Sequence, residues 1–205
     1  AMMEPRTGFL SSGVELGLAS AATVQLGHYY GFPVNVYGFS TNAHTLDAQN
    51  GFERGLNAAI PALAGADELS GIGEMEAGVM GSFAQMVLDN ELVGSVMRLR
   101  NGLSADGEHL AVDIIGAVMN GTRNYLEQEH TVKHLRAGEM ALGKLAEHNS
   151  WDAWENQFGR KQMADHAIDE AERILREHTI TPLEPHQEKE LDKILLAAEK
   201  ESVKK

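Results

Sequence analysis

Val34-Asn35-Val36-Tyr37-Gly38-Phe39, followed at once by Ser40-Thr41-Asn42-Ala43-His44-Thr45-Leu46-Asp47-Ala48-Gln49-Asn50-Gly51, is the stretch that decides the fold. The first six residues are rich in β-branched and aromatic side chains over the length of a strand. The next dozen form a polar loop that runs into a helix, expected from about Ala48 to Leu63. Leu56, Ala59, Ile60 and Leu63 share one face of it at helical spacing. Gly65-Ala66-Asp67 then turns the chain into a weaker second strand, Glu68 to Ile72. Strand, helix, strand is the rhythm of a parallel sheet. In such sheets ligands bind at the carboxyl ends of the strands, which makes the loop the first place to look for a site.

Working outward, Gly8 to Gly13 reads as a strand end or a loop that leads into a helix. That helix, rich in Ala and Leu from Val14 to Tyr30, is stopped by Gly31 and Pro33. Beyond Gly73 the rhythm changes. Helices are expected over Ser82 to Leu99, His109 to Met119 and Leu126 to Arg136. A charged helical end follows from Trp151, broken at Thr181-Pro182-Leu183-Glu184-Pro185. Leu191, Ile194, Leu195 and Ala198 mark the face by which the last helix is expected to dock. The chain shows no fixed-period repeat and no low-complexity segment. Two or three β/α units cannot close an eight-stranded barrel, and a lone two-stranded sheet leaves exposed edges. The reading is therefore α/β: a piece of a larger fold, or a chain whose missing sheet comes from another chain.

The 205 residues, 43% hydrophobic, are enough for one sizeable core. A formal charge of −13 repels nucleic acid and anionic membranes, and no basic run with interleaved aromatics offsets it. The absence of Cys removes disulfides, zinc ribbons and thiol nucleophiles, and suits the cytoplasm. No run approaches the roughly 20 apolar residues that span a bilayer, and the N-terminus lacks a secretory pattern. Met2-Met3 behind Ala1 reads as a start codon that follows a tag residue.

In the loop, Thr41 and Asn42 offer hydrogen bonds, His44 an acid/base or positioning group, and Asp47 a carboxylate. Asp47 is also a good N-cap, and for that residue capping is the preferred reading. Glu74-Met75-Glu76 follows the second strand, so its acids share an edge with the loop and could hold a cation. Equally, they could open a helix and complement its dipole. His130 and His134 stand at i and i+4, a zinc-site spacing, but Thr131 occupies the place of the zincin Glu. A structural pair is preferred, and no metal ligand is assigned. Met75, Met80, Met86, Met97 and Met119 are expected to fill core. His28-Tyr29-Tyr30 is expected to pack at a helix end. Ser11-Ser12-Gly13 lacks the nucleophile-elbow frame, and Gly71-Ile72-Gly73 lacks the third Gly of a dinucleotide fingerprint.

Several segments in order carry a resemblance: Arg6-Thr7-Gly8, Ala21-Ala22-Thr23-Val24-Gln25-Leu26, Tyr29-Tyr30-Gly31-Phe32-Pro33, Asp47-Ala48-Gln49-Asn50-Gly51-Phe52-Glu53, Leu63-Ala64-Gly65-Ala66, and His130-Thr131 with His134 and Arg136. Together they resemble the trimethylamine methyltransferase family over most of the chain. The resemblance implies the C-terminal part of a TIM (β/α)8 barrel with a helix-rich C-terminal region, 1–150 being partial barrel and 151–205 a charged helical extension. It implies transfer of a methyl group from a methylated amine to the cobalt of a corrinoid carried by a cognate partner protein, with no cofactor bound directly. A homo-oligomer is expected. No pyrrolysine is present, so the chain looks like the branch without it, some members of which demethylate quaternary amines such as glycine betaine. The family's loop commonly reads Thr-Asp-Ser-Lys before Pro-Asp. Here Thr41-Asn42-Ala43-His44 precedes Leu46-Asp47, so an acid and a base are both replaced. Their strand-end positions make Tyr37, Asn42, Asp47, Glu74 and Glu76 the expected substrate-binding residues and His44 the expected catalytic one. Two other readings stand beside this one: a truncated, non-catalytic fragment that only associates or binds a corrinoid protein, and a helical metal-binding protein that uses His130 and His134.

Overall fold

The computed structural model describes residues 2–202. It divides into two compact units, Ala1–Ala171 and Glu172–Lys205. In the first, a short antiparallel hairpin pairs β1 (Met2–Met3) with β2 (Leu10–Ser11) and leads into α1 (Val14–Tyr29). Then come β3 (Asn35–Tyr37), α2 (Ala48–Leu63) and β4 (Glu68–Ser70). β3 and β4 pair in parallel with Val36 opposite Leu69, so the expected β–α–β unit forms. Each of the two has one partner strand among the described residues.

The two faces of this small sheet differ. Val36 and Leu69 point into the helices and join Val24, Val34 and Ala66 in one apolar cluster. Leu69 also touches a second cluster of Phe39, Ala58, Ala62 and Val96. On the opposite face Asn35 is exposed and Tyr37 half-buried, and the Ser70 hydroxyl donates to Asn35 Oδ1 at 3.2 Å. Parallel sheets are ordinarily covered on both faces. Here helices cover one, and the other is polar. α1 closes on α2 through Gly17, where a Cβ would meet Ile60 Cδ1 at 3.1 Å and Asn57 Oδ1 at 3.2 Å.

Beyond β4 a second hairpin joins β5 (Glu74–Met75) to β6 (Met80–Gly81). Glu74 therefore lies in a strand and Glu76 in a single 3-10 turn, Glu76–Gly78. Glu76 thus opens that short turn, and neither acid opens an α-helix. Ser82 caps α3 (Phe83–Asn101) by accepting the Gln85 N–H at 3.2 Å. The helix expected from His109 to Met119 is two, α4 (Gly107–Leu110) and α5 (Val112–Asn120), because Ala111 adopts φ 49° and breaks the run. α6 (Glu129–Arg136), α7 (Trp151–Asn156) and α8 (Met163–Glu177) follow; α8 carries the chain into the second unit, which adds α9 (Pro185–Ser202). Leu191, Ile194 and Leu195, the expected docking face of α9, are exposed. Among the methionines expected in the core, only Met75 is buried; Met80, Met86, Met97 and Met119 are exposed.

The inner face of α2 is polar. Asn50, Arg54 and Asn57 are buried along it together with Ala58, Pro61 and Ala62, whereas Leu63 is exposed. Arg54 Nη1 donates to Asp89 Oδ2 at 2.7 Å and to the Phe39 carbonyl at 3.1 Å, which pins α2 to α3 and to the end of β3. Asp89 also accepts the Gly73 N–H at 2.7 Å and Gln85 Nε2 at 2.8 Å, while Asn50 Nδ2 donates to Gln85 Oε1 at 2.7 Å. Burial pushes the Asp89 carboxyl up against these hydrogen bonds, and pushes the Arg54 guanidinium down.

Removing one member of such a pair strands the other charge, which costs about 3–5 kcal/mol, whereas an apolar replacement of both costs far less. Asp89→Ala is therefore expected to lower the urea midpoint severely. The double variant Arg54→Met/Asp89→Leu is expected to recover much of the loss, and equal midpoints for the two would show that the pair is not what joins α2 to α3.

Candidate functional site at the carboxyl edge of the parallel strands

Past β3 the backbone crosses to α2 as the loop Ser40–Asp47, and its shape is set by the residues that bind it from behind. Glu53, one turn into α2, receives Thr41 Oγ1 and the Asn42 N–H on Oε2, both at 2.7 Å, and Gln49 Nε2 on Oε1 at 3.0 Å. Thr41 Oγ1 in turn accepts the Ala43 N–H at 2.9 Å. Asn57 Nδ2 donates to the carbonyls of Ser12 at 2.6 Å and Ser40 at 3.2 Å, and the two serine hydroxyls meet at 2.7 Å. Buried backbone in a loop needs such partners, since no ladder supplies them.

Of the expected site residues, two are engaged in this scaffolding. The Asn42 side chain joins the loop to the first hairpin: its Oδ1 accepts the Ser12 N–H at 2.5 Å and its Nδ2 donates to the Leu10 carbonyl at 2.6 Å. Asp47 is the N-cap of α2. It accepts the Asn50 N–H at 3.1 Å and the Thr45 hydroxyl at 2.6 Å, and the Thr45 bond is the chief reason its carboxyl lies below the usual range.

The other four fall into two pairs beside one turn. Tyr37 ends β3, and its hydroxyl and Glu74 Oε2 would lie 2.9 and 3.2 Å from a Cβ built on Gly78. His44 Nε2 stands 3.6 Å from Glu76 Oε1, too long for a hydrogen bond but close enough for charge to act. Backbone bonds hold these carboxylates under the loop: the Glu76 N–H donates to the Ala43 carbonyl at 3.2 Å and the Ala77 N–H to the Thr41 carbonyl at 2.8 Å. Glu76, Ala77 and Gly78 all have positive φ, 52°, 53° and 92°. Consecutive left-handed residues without a glycine at the first two cost energy, and such strain concentrates at ligand sites. An aromatic ring, an imidazole and two carboxylates around one turn can surround a cation.

A family model for trimethylamine methyltransferase matches residues 2–203. The chain belongs to the trimethylamine methyltransferase family. It is 35% identical over 170 residues to a trimethylamine methyltransferase of Desulfitobacterium hafniense (strain DSM 10664 / DCB-2), covering 82% of this chain and 33% of that protein. It is 32% identical over 186 residues to the one from Methanosarcina barkeri, covering 91% and 37%. A glycine betaine methyltransferase of Desulfitobacterium hafniense (strain Y51) is 27% identical over 203 residues, covering 98% and 42%. The chain thus spans about a third of the length of the first two relatives it matches.

Within this member of the trimethylamine methyltransferase family, Glu53, Arg54, Gln85 and Asp89 are the residues that sequence reasoning missed. Their signal was present in Asn50, Arg54 and Asn57, spaced by four and three, and in Gln85 and Asp89, spaced by four. An apolar-face reading passes over them. Among the described residues, no helix is long and apolar enough to cross a membrane.

A side chain at Gly78 would enter the space between the Tyr37 hydroxyl and Glu74. Gly78→Ala is expected to cost roughly 1–2 kcal/mol from its left-handed backbone alone, read as a lowered urea midpoint. An unchanged midpoint would mean the turn relaxes at no cost.

Proposed function

We propose that this chain forms one wall of a methyltransferase site that takes a methylated, quaternary amine and delivers its methyl group to a corrinoid carried by a partner protein. The observation that carries the reading is the cluster of Tyr37, His44, Glu74 and Glu76 at the carboxyl edge of β3 and β4, in a chain of the trimethylamine methyltransferase family. The polar outer face of the β3–β4 pair supports placing that pair in the wall of a (β/α)8 barrel, with Asn35 and Tyr37 turned inward. The remaining strands would come from protein outside this chain. A cytoplasmic homo-oligomer is part of the same reading.

The corrinoid supplies the cobalt nucleophile that accepts the methyl group. A quaternary nitrogen already carries the charge that makes it a leaving group. The carbon–nitrogen bond breaks with its electron pair staying on nitrogen, and a neutral tertiary amine departs without a proton. The residues of this chain then have two tasks: to hold the cation and to point one methyl outward. Glu74 and Glu76 attract the charge, and the Tyr37 ring offers its face. His44, beside Glu76, acts as a positioning group at the mouth, where its side chain is 71% exposed. Asn42 and Asp47 serve by fixing the loop. Holding the reacting atoms in line is where such an enzyme gains most.

Calorimetric titration with glycine betaine, trimethylamine and tetramethylammonium tests the reading, on this chain and on the chain complemented by the upstream part of a relative. Tyr37→Leu, Glu74→Gln and Glu76→Gln are each expected to weaken quaternary amine binding roughly threefold to thirtyfold. His44→Ala is expected to lower methylation of a corrinoid acceptor more than it lowers amine affinity. Equal binding in all four variants would remove these residues from the site.

A further inference from the structure

Away from the loop, α4 and α6 bring together side chains that lie 25 residues apart in sequence. His109 Nε2 and His134 Nδ1 face the same oxygen, Glu139 Oε1, at 3.4 and 3.5 Å. The potential ligand atoms of His109, His134 and Glu139 all lie within 4.8 Å of one another. Ligands held at 2.0–2.1 Å around a tetrahedral ion are about 3.3–3.4 Å apart. The two nitrogen–oxygen separations match that edge, and the one from His109 is also a long hydrogen bond.

The surroundings have the arrangement of an outer shell. His109 Nδ1 is bound to Asp106 Oδ1 at 2.7 Å, so the carboxylate fixes the ring, and in the neutral tautomer with the proton on Nδ1 it would leave Nε2 to ligate. Arg98 Nη2 stands 3.9 Å from Glu139 Oε2, and Arg98 Nε donates to the Glu139 carbonyl at 2.9 Å, which turns Oε1 toward the histidines. His134 Nε2 is buried without a hydrogen-bond partner. It lies 3.5 Å from Glu108 Oε1, an oxygen that already holds Lys133. The pairing expected from spacing, His130 with His134, is a ring contact at 4.3 Å, and His130 Nε2 donates to the Glu108 carbonyl instead.

We propose that His109, His134 and Glu139 bind a zinc-class divalent transition metal, with His109 Nε2, His134 Nδ1 and Glu139 Oε1 as ligands and a fourth position left for water or an incoming group. Two imidazoles and one carboxylate suit zinc or cobalt better than magnesium or calcium. The ion would clip α4 to α6. This region has little core of its own: Val118 is its buried aliphatic residue, while Leu110, Val112, Ile115, Leu126 and Leu135 are exposed. A bound ion would therefore stabilise it by mass action.

The test is titration of the full chain with Zn2+ at about pH 8, above the imidazole range, so that protons do not compete. Co2+ serves as a second probe, since a tetrahedral site turns it intensely coloured. One equivalent is expected to bind and to raise the thermal midpoint. His134→Ala and Glu139→Gln are each expected to weaken zinc at least tenfold and to abolish the cobalt absorption, with far-UV circular dichroism unchanged in Glu139→Gln. His28→Ala, whose imidazole pairs with Asp67, is expected to leave zinc affinity as it was. Absence of binding, equal binding in all four proteins, or loss in only one of the two ligand variants would overturn the three-ligand site.

Discussion

The Arg54–Asp89 pair is the constraint on which the rest depends. It ties together the carboxyl end of β3, the loop after β4 and the two helices that flank them, through one guanidinium and one carboxylate that are almost wholly buried. A buried ion pair is weak evidence for stability, because desolvation offsets much of the attraction. Its value here is registry. The Phe39 carbonyl, the Gly73 N–H and the Gln85 amide each accept or donate at a fixed place on the pair, so the two strand ends cannot shift independently. Arg54 Nε and Nη2 remain without partners, which shows how far the geometry is set by the strand ends and not by saturation of the guanidinium.

That registry explains why the candidate site sits where it does. The loop after β3 and the turn after β5 are joined by backbone bonds from the Glu76 N–H to the Ala43 carbonyl and from the Ala77 N–H to the Thr41 carbonyl, and the chain leading into each is held by the same buried pair. The groups proposed to meet a ligand are thereby placed on strand ends and a strained turn that have little freedom. Asn42, Glu53, Asn57 and Asp47 do the work of shaping the loop with their side chains, which leaves that work off the Tyr37, Glu74 and Glu76 side chains proposed to meet a cation.

Much of this was legible in the sequence. The strands at Val34–Phe39 and Glu68–Ile72, the helix between them and the cap at Asp47 all follow from local chemistry, and the structure contains each of them, the strands shortened to Asn35–Tyr37 and Glu68–Ser70. What was illegible depends on partners distant in the chain. Nothing local says that the Asn42 amide is taken up by Leu10 and Ser12, or that Arg54 lies inward while Leu63 faces out. The exposed methionines and the bare face of α9 mislead for a related reason. Apolar spacing marks a surface that wants cover, whether or not this stretch of chain provides it. His109 and His134 meet across a stretch in which Ala111 breaks the expected helix, and single-residue left-handed breaks leave no pattern to read.

The polar-backed, two-stranded parallel sheet has one more consequence. β3 and β4 each carry an outer edge, short but regular, in a protein whose exposed surface also includes Leu18, Leu26, Phe32 and Phe52. Open edges of this kind are templates for further strands. In a crowded solution two copies of such a chain can add edge to edge. Its handling would then turn on concentration as much as on folding, with the high negative charge working to keep copies apart.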